Sequence, residues 1–179
     1  MSVYLIRHGK TEANERRLYC GSTDIALSEA GREELKTLVY AISPAQFVTS
    51  GMKRTNETLQ ILFGDVPFSM DPRFREVDFG VFEMKSYEML KDESAYQAWL
   101  TGDNEANTPT GGESGIQMTR RVLAAFSQLP DGTALITHGG VIAAIMASLF
   151  PEEGKHRYQW QPANGRGYEL TGGSYRPIP

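Results

Sequence analysis

Two of the three histidines in the chain close the same local phrase. Val3-Tyr4-Leu5-Ile6-Arg7-His8-Gly9 and Ala134-Leu135-Ile136-Thr137-His138-Gly139-Gly140 each read as an apolar strand, one polar residue, then His-Gly. A lone histidine after a strand is usually structural, but the repeated setting reverses those odds for His8 and His138. Arg7 precedes the first of them, Arg54 falls in the first turn of a later helix, and Phe74-Arg75-Glu76-Val77-Asp78-Phe79-Gly80 supplies carboxylates. Two imidazoles, two guanidiniums and a carboxyl group make a coherent inventory for phosphoryl transfer. A guanidinium fork matches the geometry of phosphoryl oxygens. A neutral imidazole is a competent nucleophile that splits the reaction through a covalent phospho-enzyme. A carboxylic acid can protonate the departing alkoxide. Among Glu76, Asp78 and Glu83, spacing alone does not choose the acid. Arg54 taken alone reads equally well as an ordinary helix residue, His156 as a surface residue, and Arg16-Arg17 as a solvated turn.

The elements that must position these groups alternate along the chain. Strand-like runs occupy residues 3–6, 46–50, 67–70 and 133–137. Helix-like stretches occupy 28–42, 53–63, a region around 87–100, 114–129 and 141–150. The helix from Ser28 has a cap-type start, and Leu35, Leu38, Val39 and Ile42 recur at helical spacing. This alternation predicts an α/β fold with a mainly parallel sheet covered on both faces. The runs at 3–6 and 134–136 are nearly all apolar, as central parallel strands are. Ligands of such sheets bind beyond the carboxyl ends of the strands, so both His-Gly turns fall on one rim. Gly139-Gly140 opens a helix whose free N–H groups favour an anion. Residues 101–115 form a long loop rich in Gly, Asn, Thr and Pro, and residues 157–179 read as an edge hairpin or meander with a Pro-containing tail that is a candidate for disorder.

With 179 residues the chain is expected to form a single domain, 1–179. A net charge of −4 and a pI near 5.4 argue against a nucleic-acid partner. Cys20 is the single cysteine, which excludes an internal disulfide and fits a reducing, cytoplasmic setting. No run is long enough to span a membrane, and the N-terminal residues lack a signal-type apolar region. The phosphate-loop, dinucleotide, nucleophile-elbow and H-E-x-x-H patterns are absent, and Ala26 stands where a thiolate phosphatase loop built on Cys20 would need Arg. No metal or other cofactor is expected, since two arginines can neutralise a phosphate.

The residues around the two histidines resemble a known family. Leu5-Ile6-Arg7-His8-Gly9-Lys10-Thr11-Glu12-Ala13-Asn14 is similar to the R-H-G-x-T-x-x-N signature of the histidine phosphatase superfamily, which includes the cofactor-dependent phosphoglycerate mutases. The resemblance continues in Leu27-Ser28-Glu29-Ala30-Gly31, Ser50-Gly51-Met52-Lys53-Arg54-Thr55-Asn56-Glu57-Thr58, Phe74 to Gly80, Gly112-Glu113-Ser114 and Thr137-His138-Gly139-Gly140. It implies that His8 is the phosphorylated nucleophile and Glu76 the proton donor. It implies that Arg7, Arg54 and His138 hold the phosphoryl oxygens, with Asn14 and Gly139 as further substrate contacts. The implied fold is a three-layer α/β/α sandwich, with residues 83–115 as a small cap over the site.

Two departures fall near the expected pocket: Lys10 replaces the Glu usual after R-H-G, and Cys20 stands where many members have Ser or Thr. The short chain and Leu18-Tyr19-Cys20-Gly21-Ser22-Thr23-Asp24 resemble the α-ribazole phosphatases of cobalamin synthesis. The implied activity is metal-independent hydrolysis of a small phosphorylated metabolite. Phosphoglycerate mutase-type transfer is the alternative, and a non-catalytic phospho-ligand module a third. Tyr87, Tyr96 and Trp99 either stack on a substrate ring or pack the cap, and Trp160 reads equally well as packing.

Overall fold

The apolar phrases that end in His-Gly become neighbouring strands at the centre of one sheet. In a computed structural model describing residues 1–179, the strands are β1 (Ser2–Arg7), β2 (Gln46–Thr49), β3 (Ser69–Met70), β4 (Thr133–Thr137), β5 (Gly167–Thr171) and β6 (Ser174–Ile178). Their order is β3-β2-β4-β1-β5-β6. The first four run parallel, and β5 and β6 are antiparallel additions at one edge. Leu5 pairs with Leu135 and Arg7 with Thr137, so β1 and β4 finish level. That register brings His8 and His138 to the same rim.

The helices are α1 (Glu12–Glu15), α2 (Glu29–Lys36), α3 (Lys53–Phe63), α4 (Tyr87–Leu90), α5 (Ser94–Leu100), α6 (Gly115–Phe126) and α7 (Gly139–Leu149). Alternation along β4 sends Leu135 into the large core with Val3, Leu5, Met118, Val122 and most of α7. Ala134 and Ile136 face Leu59 of α3 on the other side. A sheet with helices on both faces is the expected α/β sandwich. Five consecutive buried residues in β4 and eight in α7 explain why these segments read as apolar runs.

Several local expectations need correction. α2 ends at Lys36 rather than at residue 42: the Thr37 hydroxyl turns back to donate to the Glu34 carbonyl at 2.7 Å and closes the last turn. The apolar residues beyond it serve a loop, where Tyr40 packs on Phe63 and Val39 is 80% exposed. The region around 87–100 is two short helices, each with its own start. The tail is an edge strand rather than disordered: Pro177 sits in β6, where one side needs no donors. Lys10 lies away from the main cavity, paired with Glu34 at 2.8 Å. His156 is exposed, as are Arg16 and Arg17, and Trp160 is buried against Phe150, Tyr168 and Tyr175.

Candidate active site

The strand ends converge on a pair of imidazoles. The rings of His8 and His138 lie 5.2 Å apart between centroids, inclined at 63°, and both side chains are buried. The Nδ1 atom of His8 is 2.6 Å from the Gly9 carbonyl oxygen. A carbonyl only accepts, so Nδ1 carries the hydrogen and Nε2 keeps its lone pair. On the second ring, Nε2 is 2.8 Å from the Ser50 hydroxyl, which is 3.1 Å from the Thr55 hydroxyl, and Thr55 donates to the Met52 carbonyl at 2.8 Å. Every donor finds an acceptor if the chain runs from His138 Nε2–H through Ser50 and Thr55 to Met52. Burial first, then the charges of Arg54 and Arg7, hold His8 well below the usual histidine range; His138 is lowered by burial, Arg54, His8 and Arg7. Both rings are therefore neutral at pH 7.

Both guanidiniums are drawn inward. Arg54, 1% exposed in the first turn of α3, donates from Nη1 to the Thr23 carbonyl and from Nη2 to the Gly21 carbonyl, each at 2.8 Å. Each of those nitrogens retains a second hydrogen. Arg7 donates to the Pro162 carbonyl at 2.8 Å. Its Nε is buried without a partner, and so is Nδ1 of His138; no other buried side-chain nitrogen or oxygen is left unpaired. Buried polar atoms are almost always satisfied, so two orphans in one site mark where a ligand belongs. Gly139 permits this packing: a Cβ there would lie 3.1 Å from Nε and Cζ of Arg7.

Glu76 carries its carboxyl group to the His138-Gly139-Gly140 turn. Its Oε2 accepts the N–H of Gly140 at 2.9 Å and its Oε1 the N–H of Val77 at 3.0 Å, at the N-terminus of α7. Asp78 and Glu83 are engaged elsewhere, with Ser22 and with the loop at residues 21–23. Geometry thus separates three carboxylates that spacing could not. Asn14 faces the same space; its Oδ1 accepts from Thr11, leaving its amide nitrogen without a partner in the chain.

Arg7, Asn14, Glu76 and Gly140 line a cavity of about 330 Å³. His8, Arg54 and His138 are buried and are not part of that lining. One wall is apolar: Leu18, Tyr19, Val77, Phe79, Trp99 and Leu100. Another part of the lining is polar: Asn104, Glu105, Arg157, Tyr158 and Gln161. Burial pushes the Cys20 thiol, on the same lining, above its usual value. Tyr96 is buried in the aromatic cluster below Trp99, and Tyr87 is half exposed; only Trp99 of the three aromatic candidates reaches the cavity.

Sequence reading missed several contributors. Arg157 and Gln161 precede the terminal hairpin and wall the site instead of belonging to it. Ser50 anchors His138. Arg121 of α6 donates to the carbonyls of Arg73 and Arg75 at 2.7 Å and Glu76 at 3.0 Å, and pairs with Glu113, so it braces the turn that carries Glu76. No pattern of spacing announces an arginine that binds three carbonyls.

The fold and the paired histidines define a phosphatase of the histidine type. The profile of the histidine phosphatase superfamily (branch 1) matches residues 3–177, and the chain belongs to that superfamily. An adenosylcobalamin/alpha-ribazole phosphatase of Salmonella typhimurium is 35% identical over 162 residues, covering 83% of this chain and 79% of the relative. The crystal structure of the alpha-ribazole phosphatase from Shigella flexneri superposes with a TM-score of 0.82 at 26% identity, covering 99% of this chain and 96% of that one. A chain of Enterobacter sp. (strain 638) described as "Probable phosphoglycerate mutase GpmB" is 28% identical over 160 residues, covering 83% of this chain and 74% of its own length.

Proposed function

We propose that this chain is a single-domain phosphomonoesterase that works through a phosphorylated His8 and hydrolyses a small metabolite of the α-ribazole 5′-phosphate type. The observation that carries the reading is the pair of orphaned nitrogens, Arg7 Nε and His138 Nδ1, beside the free Nε2 lone pair of His8. A phosphoryl group seated among them satisfies both and offsets the charges of Arg7 and Arg54. With that charge in place, the burial penalty on a protonated His138 falls, and Nδ1–H donates to a phosphoryl oxygen. Asn14 and the backbone at Gly139 complete the cradle.

In the first step His8 Nε2 forms the P–N bond while the ester P–O bond breaks, and Glu76 hands its proton to the departing oxygen. In the second step Glu76 takes a proton from water as the resulting hydroxide oxygen attacks phosphorus. The P–N bond breaks, releasing inorganic phosphate and the neutral ring. The arginines stabilise the charge on the equatorial oxygens throughout, so no metal is assigned a role. Residues 83–115 act as the cap, and the leaving group lies against the Trp99 wall and the polar part of the lining. A cavity of about 330 Å³ is the right scale for a nucleoside-sized leaving group.

Hydrolysis of p-nitrophenyl phosphate in EDTA tests the mechanism: turnover persists with chelator and vanishes in His8→Ala. Loss with chelator, or survival in the variant, contradicts it. A panel of phosphorylated metabolites ranked by kcat/KM, α-ribazole 5′-phosphate included, tests the substrate. The mutase-like relative favours one second reading, transfer between substrate positions, which predicts dependence on a bisphosphorylated primer. Phosphate released to water without primer decides for hydrolysis.

A further inference from the structure

We propose that Glu83 is a positioning residue that sets the Arg54 guanidinium against the phosphoryl site through the loop at residues 21–24. Its carboxylate touches none of the reacting groups. Oε1 accepts the N–H groups of Gly21 at 2.9 Å, Ser22 at 2.8 Å and Phe79 at 3.1 Å, and Oε2 accepts the Thr23 hydroxyl at 2.7 Å. A side chain here fills the kind of backbone nest that elsewhere holds a free anion. The opposite edge of the same loop holds Arg54: the carbonyls of Gly21 and Thr23 receive its two Nη atoms, each at 2.8 Å. Asp24 adds a third tie, accepting the N–H of Lys53 at 2.8 Å at the start of α3. The loop is therefore a relay, with N–H groups turned to Glu83 and carbonyls turned to Arg54.

The relay is rigid because it is pressed against the turn that bears the proton donor. A Cβ on Gly21 would lie 1.6 Å from the Val77 carbonyl oxygen and 2.9 Å from Glu83 Oε1. Val77 follows Glu76, so one carboxylate fixes the spacing between Arg54 and the Glu76 turn. Preorganised charge acts on a transition state only if a second layer of contacts holds it in place. Glu83 supplies that layer for Arg54.

The inference rests on the phosphoryl-binding reading above, and orthovanadate separates the two. Wild-type protein that binds no vanadate overturns the reading itself. Wild-type protein that binds it, with Glu83→Ala binding equally well, overturns only the inference. The expected result is vanadate affinity weakened about 10- to 100-fold in Glu83→Ala, the scale of losing charge-assisted bonds, with kcat falling alongside. Glu83→Gln keeps a carbonyl for the three N–H groups and turns its amide toward Thr23, whose hydroxyl can accept, so it recovers most of the loss. Adding Glu83→Ala to Arg54→Ala costs little more than Arg54→Ala alone, because the carboxylate acts through that guanidinium. Multiplicative losses in the double variant, or a lowered melting temperature with unchanged vanadate affinity, refute the proposal. If Glu83→Ala fails to fold, Glu83→Asp carries the same test, since its shorter stem draws the carboxylate away from the loop.

Discussion

Replacing Gly140 by alanine should separate the role of Glu76 from the stability of the fold. A Cβ at that position would lie 2.3 Å from Glu76 Oε1 and 3.0 Å from its Oε2 and Cδ. Something must move, and the carboxylate is the end of a flexible side chain, so it swings away and loses its 2.9 Å bond from the Gly140 N–H. That bond, to a charged acceptor, contributes about 1.5 kcal/mol. Alanine recovers up to about 1 kcal/mol of helix propensity over glycine within α7. The two nearly cancel, so the melting temperature should stay within a few degrees of wild type. Activity should not. A displaced general acid forfeits about 10²–10⁴ in rate, and the loss falls hardest on leaving groups that need a proton. The assay compares kcat/KM, which reports the first step alone and not the second step shared by all substrates, for an alkyl phosphate and for p-nitrophenyl phosphate, whose phenolate departs readily. Gly140→Ala should slow the first far more than the second. Equal slowing of both, or undiminished alkyl phosphate turnover in a stable protein, would refute the placement of Glu76 as acid.

Three further outcomes follow from the same contacts. Burial and the Arg54 and Arg7 charges lower His8 and His138 well below 6.5, so the unfolded chain takes up protons before the folded chain does as pH falls through that value. Stability should be complete above about pH 6.5 and decline below it, each histidine adding at most about 1.4 kcal/mol per pH unit. Urea unfolding at stepped pH checks this, and an unchanged slope in His8→Ala would contradict it. Arg121→Met should cost about 1–2 kcal/mol by removing its bonds to the carbonyls of Arg73, Arg75 and Glu76, the first two of which water can replace, and should lower kcat through the loosened Glu76 turn; urea midpoints and steady-state kinetics read both. Trp99→Ala should raise KM for a ring-bearing phosphate about 5- to 10-fold, the scale of one aromatic contact, while leaving p-nitrophenyl phosphate kcat nearly unchanged.

The centre of this molecule was legible because its physics is local and repeated. Strands buried on both faces must be apolar, which exposed β1 and β4, and a His-Gly turn at each carboxyl end placed both rings on one rim. Arg54 and Glu76 became specific only through the superfamily resemblance, since a helix arginine or one carboxylate among three carries no spacing signal of its own. The end of α2 was misread because Leu38, Val39 and Ile42 mimic helical periodicity, whereas the Thr37 hydroxyl closes the helix and Tyr40 packs on Phe63. The walls formed by Arg157 and Gln161, and the brace formed by Arg121, depend on long-range packing. The relay from Glu83 to Arg54 escaped notice for a related reason: it passes through backbone groups, which every sequence possesses.

In the mechanism we propose, His8 carries the phosphoryl group in transit. Rapid acid-free quenching of turnover, followed by peptide mass spectrometry, should find phosphate on His8, stable to base and labile to acid, and absent from His8→Ala. A turning-over enzyme with no phosphohistidine at any time point, or with the phosphoryl group on another residue, would contradict it.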